Sequence, residues 1–200
     1  MLLLREDQQL RSKLGQHPMV LHGWLHLLCH GSDAARYWCC QCIVSLSHKH
    51  IANQSVMAKH PGMMEAILEV LLHGSALSRG AACSALVEST FRNAENALLV
   101  AKTPGMMQGV VFVMQISVGD VRDDAAGVLR NCSNYSQEAA ELIVQTPVHI
   151  FHTYDACMHN SCKQRIMHVQ SLSVELMLQL TDTTRKRPNT RFPGSAGCAD

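Results

Sequence analysis

The chain has 200 residues, of which 47% are hydrophobic, and its 17 basic and 16 acidic residues leave a formal charge of +1. This length and apolar content suffice for one folded domain, while the near-zero charge excludes a global attraction to nucleic acid or acidic lipid. Aromatic residues make up only 4%, and Leu, Ala, Val, Met and Cys supply the apolar bulk, which favours helices packed on helices over a β-sheet.

The N-terminal residues predict neither a signal peptide nor a membrane anchor. Residues 1–4 are apolar but run directly into Arg5, Glu6 and Asp7, so the apolar core of a signal peptide is missing. The richest apolar stretch, residues 110–118, is much shorter than the roughly 20 residues of a membrane span. Nine cysteines without a secretion signal favour reduced thiols. We therefore expect an intracellular protein without a membrane span, cytoplasmic first and nuclear as the second option.

The strongest pattern along the chain is a repeat of 43 residues. The segment AKHPGMM at residues 58–64 returns as AKTPGMM at residues 101–107, with one change in seven. Such a period is typical of helical solenoids, which act through an elongated surface more often than through a buried pocket. Four prolines and four arginines follow the same spacing: Pro18, Pro61, Pro104 and Pro147, and Arg36, Arg79, Arg122 and Arg165.

Each unit is predicted to contain three helices, which are clearest in the second unit. Pro61-Gly62 ends one helix and begins the next, whose apolar residues recur every three or four positions up to Leu72. His73-Gly74-Ser75 ends that helix, and a third one is expected over about residues 77–91. Short helices are expected before each new unit, at residues 5–16, 52–59, 95–102 and 137–145.

A short helix that precedes a hairpin of two longer ones resembles the armadillo repeat, and distinguishes this chain from the two-helix HEAT repeat. The resemblance covers roughly residues 8–181. It implies an all-α fold, a right-handed solenoid of about four three-helix repeats whose third helices line the concave side. The armadillo-like domain would span residues 1–181, with repeats near residues 17–59, 60–102, 103–145 and 146–181.

The two ends of the domain are predicted to differ. The last helix, residues 163–180, carries a polar stripe that suits a C-terminal cap. The N-terminal end has no comparable cap, which leaves room for a further repeat or for self-association near Trp24 and Leu28. Residues 182–200 are predicted to be a disordered basic tail, in which residues 185–187 (Arg-Lys-Arg) could also serve as a nuclear targeting signal.

The resemblance implies that the third helices hold an extended peptide, so that the chain is a non-enzymatic interaction module for a protein or peptide ligand. Asn131 is the best single residue, because an amide exposed to solvent can bond both backbone groups of a bound strand. The tryptophan–asparagine ladder of nuclear-import adaptors is largely missing, and an import-type adaptor or a chaperone cofactor is the alternative. The groove columns contain Trp38, Gln41, Ser45 and Lys49, then Ala81, Ser84, Glu88 and Arg92, then Asp124, Gly127, Asn131 and Tyr135.

An alternative of a different class uses the cluster between Cys29 and His50. Seven potential zinc ligands lie within these 22 residues, so a thiol- or zinc-dependent protein is conceivable. Cys39, Cys40 and Cys83 nevertheless occupy repeat columns, that is, positions 43 residues apart, at which other units have alanine. Because alanine suits a tightly packed interior, we expect these cysteines to be buried packing residues and not metal ligands. We therefore expect no metal or other cofactor.

Catalytic motifs are also missing from the sequence. It contains no nucleophile elbow, phosphate loop or zinc-protease helix, so we expect no enzyme and no catalytic residues. The four repeated arginines are expected to tie each unit to its neighbour through backbone carbonyls or a carboxylate such as Asp33, Asp123 or Asp124.

Overall fold

The computed structural model describes residues 8–145, and the following statements concern that part of the chain. The predicted fourth unit at residues 146–181, Arg165, the cap helix at residues 163–180 and the tail at residues 182–200 lie outside it. Residues 8–145 form ten helices and no strand, which confirms the all-α prediction for this part.

The ten helices follow one another with short connections. They are α1 (Gln8–Gly15), α2 (Pro18–His30), α3 (Asp33–Ser47), α4 (Ile51–Ala58), α5 (Met63–His73), α6 (Ala76–Thr90), α7 (Ala94–Lys102), α8 (Met106–Ile116), α9 (Asp120–Tyr135) and α10 (Gln137–Gln145). The first residues of the short helices α1, α4, α7 and α10 are spaced by 43 residues. The last residues of the second helices α2, α5 and α8 have the same spacing.

Equivalent capping residues set these boundaries. The hydroxyls of Ser32 and Ser75 accept hydrogen bonds from the third residue beyond them, which begins α3 and α6. His50 and Asn93 do the same for α4 and α7. Before α8, Gly105 adopts a φ of 80°, in the left-handed region that favours glycine, where the chain turns from the short helix into the second helix.

Helices of the same kind lie next to one another in chain order. The most extensive contacts join the third helices α3, α6 and α9, with α6 in the middle. The second helices α2, α5 and α8 contact one another in the same order, and so do the four short helices. The described units therefore pack as successive layers, with the apolar core continuous between them.

Small residues let the third helices approach closely. Ala82 and Ala125 have no exposed surface, and Cys39, Cys40 and Cys83 are buried, as the repeat columns predicted. Burial raises the pKa of the Cys40 and Cys83 thiols to about 12, so they are neutral packing groups at physiological pH.

The arginine column ties helices together differently from the prediction. Arg36 donates to the carbonyl of Cys29 at 3.1 Å, and Arg79 donates to the carbonyl of Leu72 at 2.9 Å, so each joins two helices of its own unit. The expectation of carbonyl partners is correct for Arg36 and Arg79, but these carbonyls belong to the same unit. Among the described residues, the expected link to a carboxylate of the neighbouring unit is present only as an electrostatic interaction of Arg79 with Asp33. The Arg79 guanidinium does lie 5.4 Å from the ring centre of Phe112 in the next unit.

Asp33 connects the first two units instead. Its carboxylate accepts a hydrogen bond from the Ser75 backbone amide at 2.9 Å, and its carbonyl accepts one from Ser78 at 3.1 Å. The hydrogen bonds from Ser75 hold the pKa of Asp33 below its usual value. The carboxylate thus lies at the N-terminus of α6, where backbone amides are available.

Trp24 and Leu28 contribute little exposed apolar surface themselves. Leu28 is fully buried and Trp24 is partly buried, and self-association near them stays a prediction. The exposed apolar side chains of α2 are Met19 and Leu27.

No single helix in residues 8–145 is long and apolar enough to cross a membrane. Only α7 and α8 together would meet that criterion, and they are bent by 88° relative to each other.

Candidate interaction surface

The predicted groove residues lie on the helices α3, α6 and α9 or directly beyond their C-terminal ends, but they differ in exposure. Trp38 is 59% exposed, and Lys49 and Arg92 are also exposed. Ser45 and Asn131 are only 3% and 7% exposed, which corrects the expectation that they face solvent. Gln41, Ser84, Glu88, Asp124 and Tyr135 are partly buried. Ala81 and Gly127 are buried, so the expectation that they are exposed is wrong as well. We call this surface the third-helix face.

Polar side chains on the third-helix face bond to the neighbouring helix. His48, at the end of α3, places its Nδ1 3.1 Å from an Oε1 of Glu88 on α6. The Ser84 hydroxyl on α6 donates to the carboxylate of Asp124 on α9. These two bridges cross successive helix pairs and fix their spacing, because both groups in each bridge are partly shielded from water.

Asn131 forms a third bridge between these helices. Its amide nitrogen donates to the Val87 carbonyl at 3.1 Å and to the Thr90 hydroxyl at 3.2 Å, both on α6. This donor is therefore already used within the chain. Ser45 likewise donates to the Gln41 carbonyl of its own helix at 2.9 Å.

Aromatic and basic side chains cluster at the C-terminal ends of the third helices. The rings of Phe91 and Tyr135 meet edge to face at 6.3 Å, and the Arg92 guanidinium lies 5.4 Å from the Phe91 ring centre. Lys49 has a φ of 53° and Arg92 a φ of 54°, so both follow their helix in the same left-handed turn. Sequence reasoning missed Phe91 as a surface residue, although its repeat column also contains the polar His48 and Asn134.

Trp38 is a separate aromatic feature on α3. Its ring packs against Tyr37 at 5.0 Å in an edge-to-face arrangement while most of the side chain remains exposed. An exposed tryptophan fixed by a neighbouring ring presents a large contact area with little freedom to lose on binding.

The candidate zinc ligands between Cys29 and His50 are dispersed. Cys39 and Cys40 are buried in the core, and Cys29 is exposed on α2. His48 pairs with Glu88, while His50 caps α4 and lies 3.1 Å from the Ser12 hydroxyl. Across residues 8–145 no group of three or more His, Cys, Asp or Glu side chains could hold a metal ion together. This arrangement weighs against a zinc-dependent protein that uses all seven residues.

Comparison with protein-family models, with curated proteins and with solved structures found no match to this chain. The resemblance to armadillo repeats accordingly rests on the residue pattern, and it stays a prediction.

Replacing Asn131 by Ala is expected to lower the free energy of unfolding by about 1 kcal/mol, the net worth of a typical buried hydrogen bond. The substitution removes the side-chain amide that donates to the Val87 carbonyl and the Thr90 hydroxyl. Asn134→Ala is the matched control, because Asn134 is exposed on the same helix and should change stability by less than about 0.5 kcal/mol. Urea denaturation followed by circular dichroism measures both. Equal stabilities of the two variants would show that the Asn131 bridge contributes nothing.

Proposed function

We propose that this chain is a non-enzymatic interaction module that binds an extended segment of another protein along the third-helix face. In this proposal the units stack as a right-handed, armadillo-type solenoid with the third helices on the concave side. The observation that carries the proposal is the side-by-side packing of α3, α6 and α9. Three helices packed side by side form a continuous surface along which an extended segment can bind.

The bridges between the third helices support a preformed binding surface. The pairs His48–Glu88 and Ser84–Asp124, together with Asn131, hold the three helices in register without a ligand. A surface that is already ordered loses less conformational entropy when a partner binds. The binding free energy can then come from the few large side chains that remain accessible.

Those accessible side chains are of the types that dominate protein interfaces. Trp38 is exposed on α3, and the cluster of Phe91, Arg92 and Tyr135 lies at the C-terminal ends of α6 and α9. Tryptophan, tyrosine and arginine are enriched among the residues that contribute most to binding. Lys49 and Arg92 add positive charge at the same ends of α3 and α6, so we expect an acidic or aromatic residue of the bound segment beside them.

Partly buried polar groups between these anchors can bind the backbone of the segment. Gln41, on α3, is partly exposed and has both a donor and an acceptor in its amide. Hydrogen bonds to the backbone fix an extended strand without reading its sequence. A scaffold, a chaperone cofactor and an import-type adaptor would all use such a surface, and the identity of the partner decides among them.

Trp38→Ala is expected to weaken the binding of an extended peptide by about 2 kcal/mol or more, as is typical of a central aromatic anchor. A random peptide library displayed on phage is panned against the parent protein, and enriched peptides are then measured by fluorescence anisotropy. Met19→Ala is the matched control, since Met19 is 72% exposed but lies on α2, outside the third-helix face. Peptides that bind Trp38→Ala as tightly as the parent, or that lose affinity only with Met19→Ala, would contradict the proposal.

A further inference from the structure

Helix α2 carries a row of exposed histidines that the third-helix face does not use. His22, His26 and His30 follow one another at intervals of four residues, and all three are exposed. Residues four apart lie on the same face of a helix, one turn above the other. Cys29 is also exposed, and it lies three residues after His26, close to the same face of the helix. The row lies on a second helix, whereas Trp38 lies on the third helix α3 and Arg92 follows the third helix α6.

The last two rings of the row are already close to each other. The ring centres of His26 and His30 are 5.0 Å apart, and the rings are inclined by 57°. A tetrahedral zinc ion holds each imidazole nitrogen at about 2.0 to 2.1 Å, and this geometry places the centres of two bound rings about 5 Å apart. The separation in the free protein thus matches that of a pair of rings sharing one ion.

We propose that His26 and His30 form a surface site that binds a divalent late-transition-metal ion, with Zn²⁺ as the representative, through one ring nitrogen each. Two histidines four residues apart on a helix are the pair that zinc-binding helices use. Within residues 8–145 no third candidate ligand is grouped with this pair, so this part of the chain supplies two protein ligands and leaves the other coordination positions open.

The equivalent helix of the second unit contains different ligands. The positions of His26 and His30 correspond to Glu69 and His73 on α5, where a carboxylate oxygen lies 3.5 Å from the His73 Nε2. Imidazole nitrogens suit zinc and copper, whereas carboxylates suit magnesium, calcium and manganese. On α8 the same positions are Phe112 and Ile116, which cannot bind a metal. The paired histidines are thus specific to α2 among these three helices.

The test is a titration of the metal-free protein with zinc chloride, followed by calorimetry and by the NMR signals of the imidazole rings. The parent is expected to bind one ion at this site and to show changes at His26 and His30. His26→Ala and His30→Ala are each expected to weaken binding about tenfold or more, since even the loss of an outer partner of a metal ligand costs that much. Both residues are exposed, so these variants should fold; melting in the presence of a chelator verifies it.

His73→Ala and Cys29→Ala are the matched controls, and both are expected to bind zinc as the parent does. Unchanged imidazole signals of His26 and His30 on zinc addition would overturn the proposal. So would His26→Ala binding as tightly as the parent, or a loss of binding in Cys29→Ala alone, because the ion would then lie elsewhere or on the thiol.

Discussion

Ala82→Leu is expected to lower the free energy of unfolding by about 1 to 3 kcal/mol, the usual cost of overpacking a well-packed core. Ala82 has no exposed surface and lies on α6, which is flanked by α3 and α9. Three additional carbon atoms would force these helices apart, because their close approach depends on small residues. Urea denaturation monitored by circular dichroism gives the difference.

Ala34→Leu is the matched control for this substitution. Ala34 is exposed on α3, and the residue 43 positions later, Leu77, is 73% exposed on α6. A leucine at this column is thus already tolerated in the second unit, and we expect a change within about 0.5 kcal/mol. Equal stability of Ala82→Leu and Ala34→Leu would mean that the inward side of the third helices has been misassigned.

Asn53→Ala is expected to lower the free energy of unfolding by about 2 to 3 kcal/mol, because two buried carbonyls lose a partner. The fully buried Asn53 amide donates to the carbonyls of Arg11 at 3.0 Å and Leu46 at 2.9 Å, and it accepts from Gln16 at 3.2 Å. Asn53 therefore ties α1 to α3.

The contact between Asn53 and α1 also explains the glycine at residue 15. A Cβ at Gly15 would lie 2.4 Å from the Asn53 amide nitrogen, so a larger residue would clash with this side chain.

Asn96→Ala provides the comparison, since Asn96 is the equivalent residue of the next unit. Its amide donates to the Ser89 carbonyl at 2.8 Å, but its oxygen has no hydrogen-bond partner among the described residues. Removing this unsatisfied oxygen offsets part of the lost hydrogen bond, so the destabilisation should be smaller than for Asn53→Ala. Differential scanning calorimetry of both variants measures the difference. A larger loss for Asn96→Ala would contradict the assignment of Asn53 as the tie to α1.

The helices themselves could be predicted from the sequence to within a few residues. The expected short helices at residues 52–59 and 95–102 correspond to Ile51–Ala58 and Ala94–Lys102, and the expected third helix at residues 77–91 corresponds to Ala76–Thr90. Local signals are sufficient here because capping residues and apolar spacing act within one or two turns.

The exposure of individual face residues could not be predicted in the same way. Ser45 and Asn131 occupy the column of Glu88, yet they are buried while Glu88 is partly exposed. The Asn131 amide donates to the Val87 carbonyl on the preceding third helix, whereas the short Ser45 side chain donates to the Gln41 carbonyl of its own helix. Contacts of the first kind form between units, and the residue pattern within one unit does not contain them.

The arginine column shows the same limit at the level of partners. The sequence predicted backbone carbonyls or a carboxylate as the partners of Arg36 and Arg79, because a guanidinium can donate to several acceptors of either kind. It could not tell which helix supplies them. The carbonyls at the C-terminal ends of α2 and α5 lack partners within their own helices and attract a cation, and they lie in the same unit.

The central claim is that the third-helix face is the working surface of the chain, and the most direct measurement is chemical-shift mapping of a bound peptide. A peptide selected by panning is added to the isotopically labelled protein, and the amide signals that move are assigned. We expect the largest changes on α3, α6 and α9, around Trp38, Gln41, Arg92 and Tyr135. Changes confined to α2, α5 and α8 would contradict the claim and would place the interaction on the second helices.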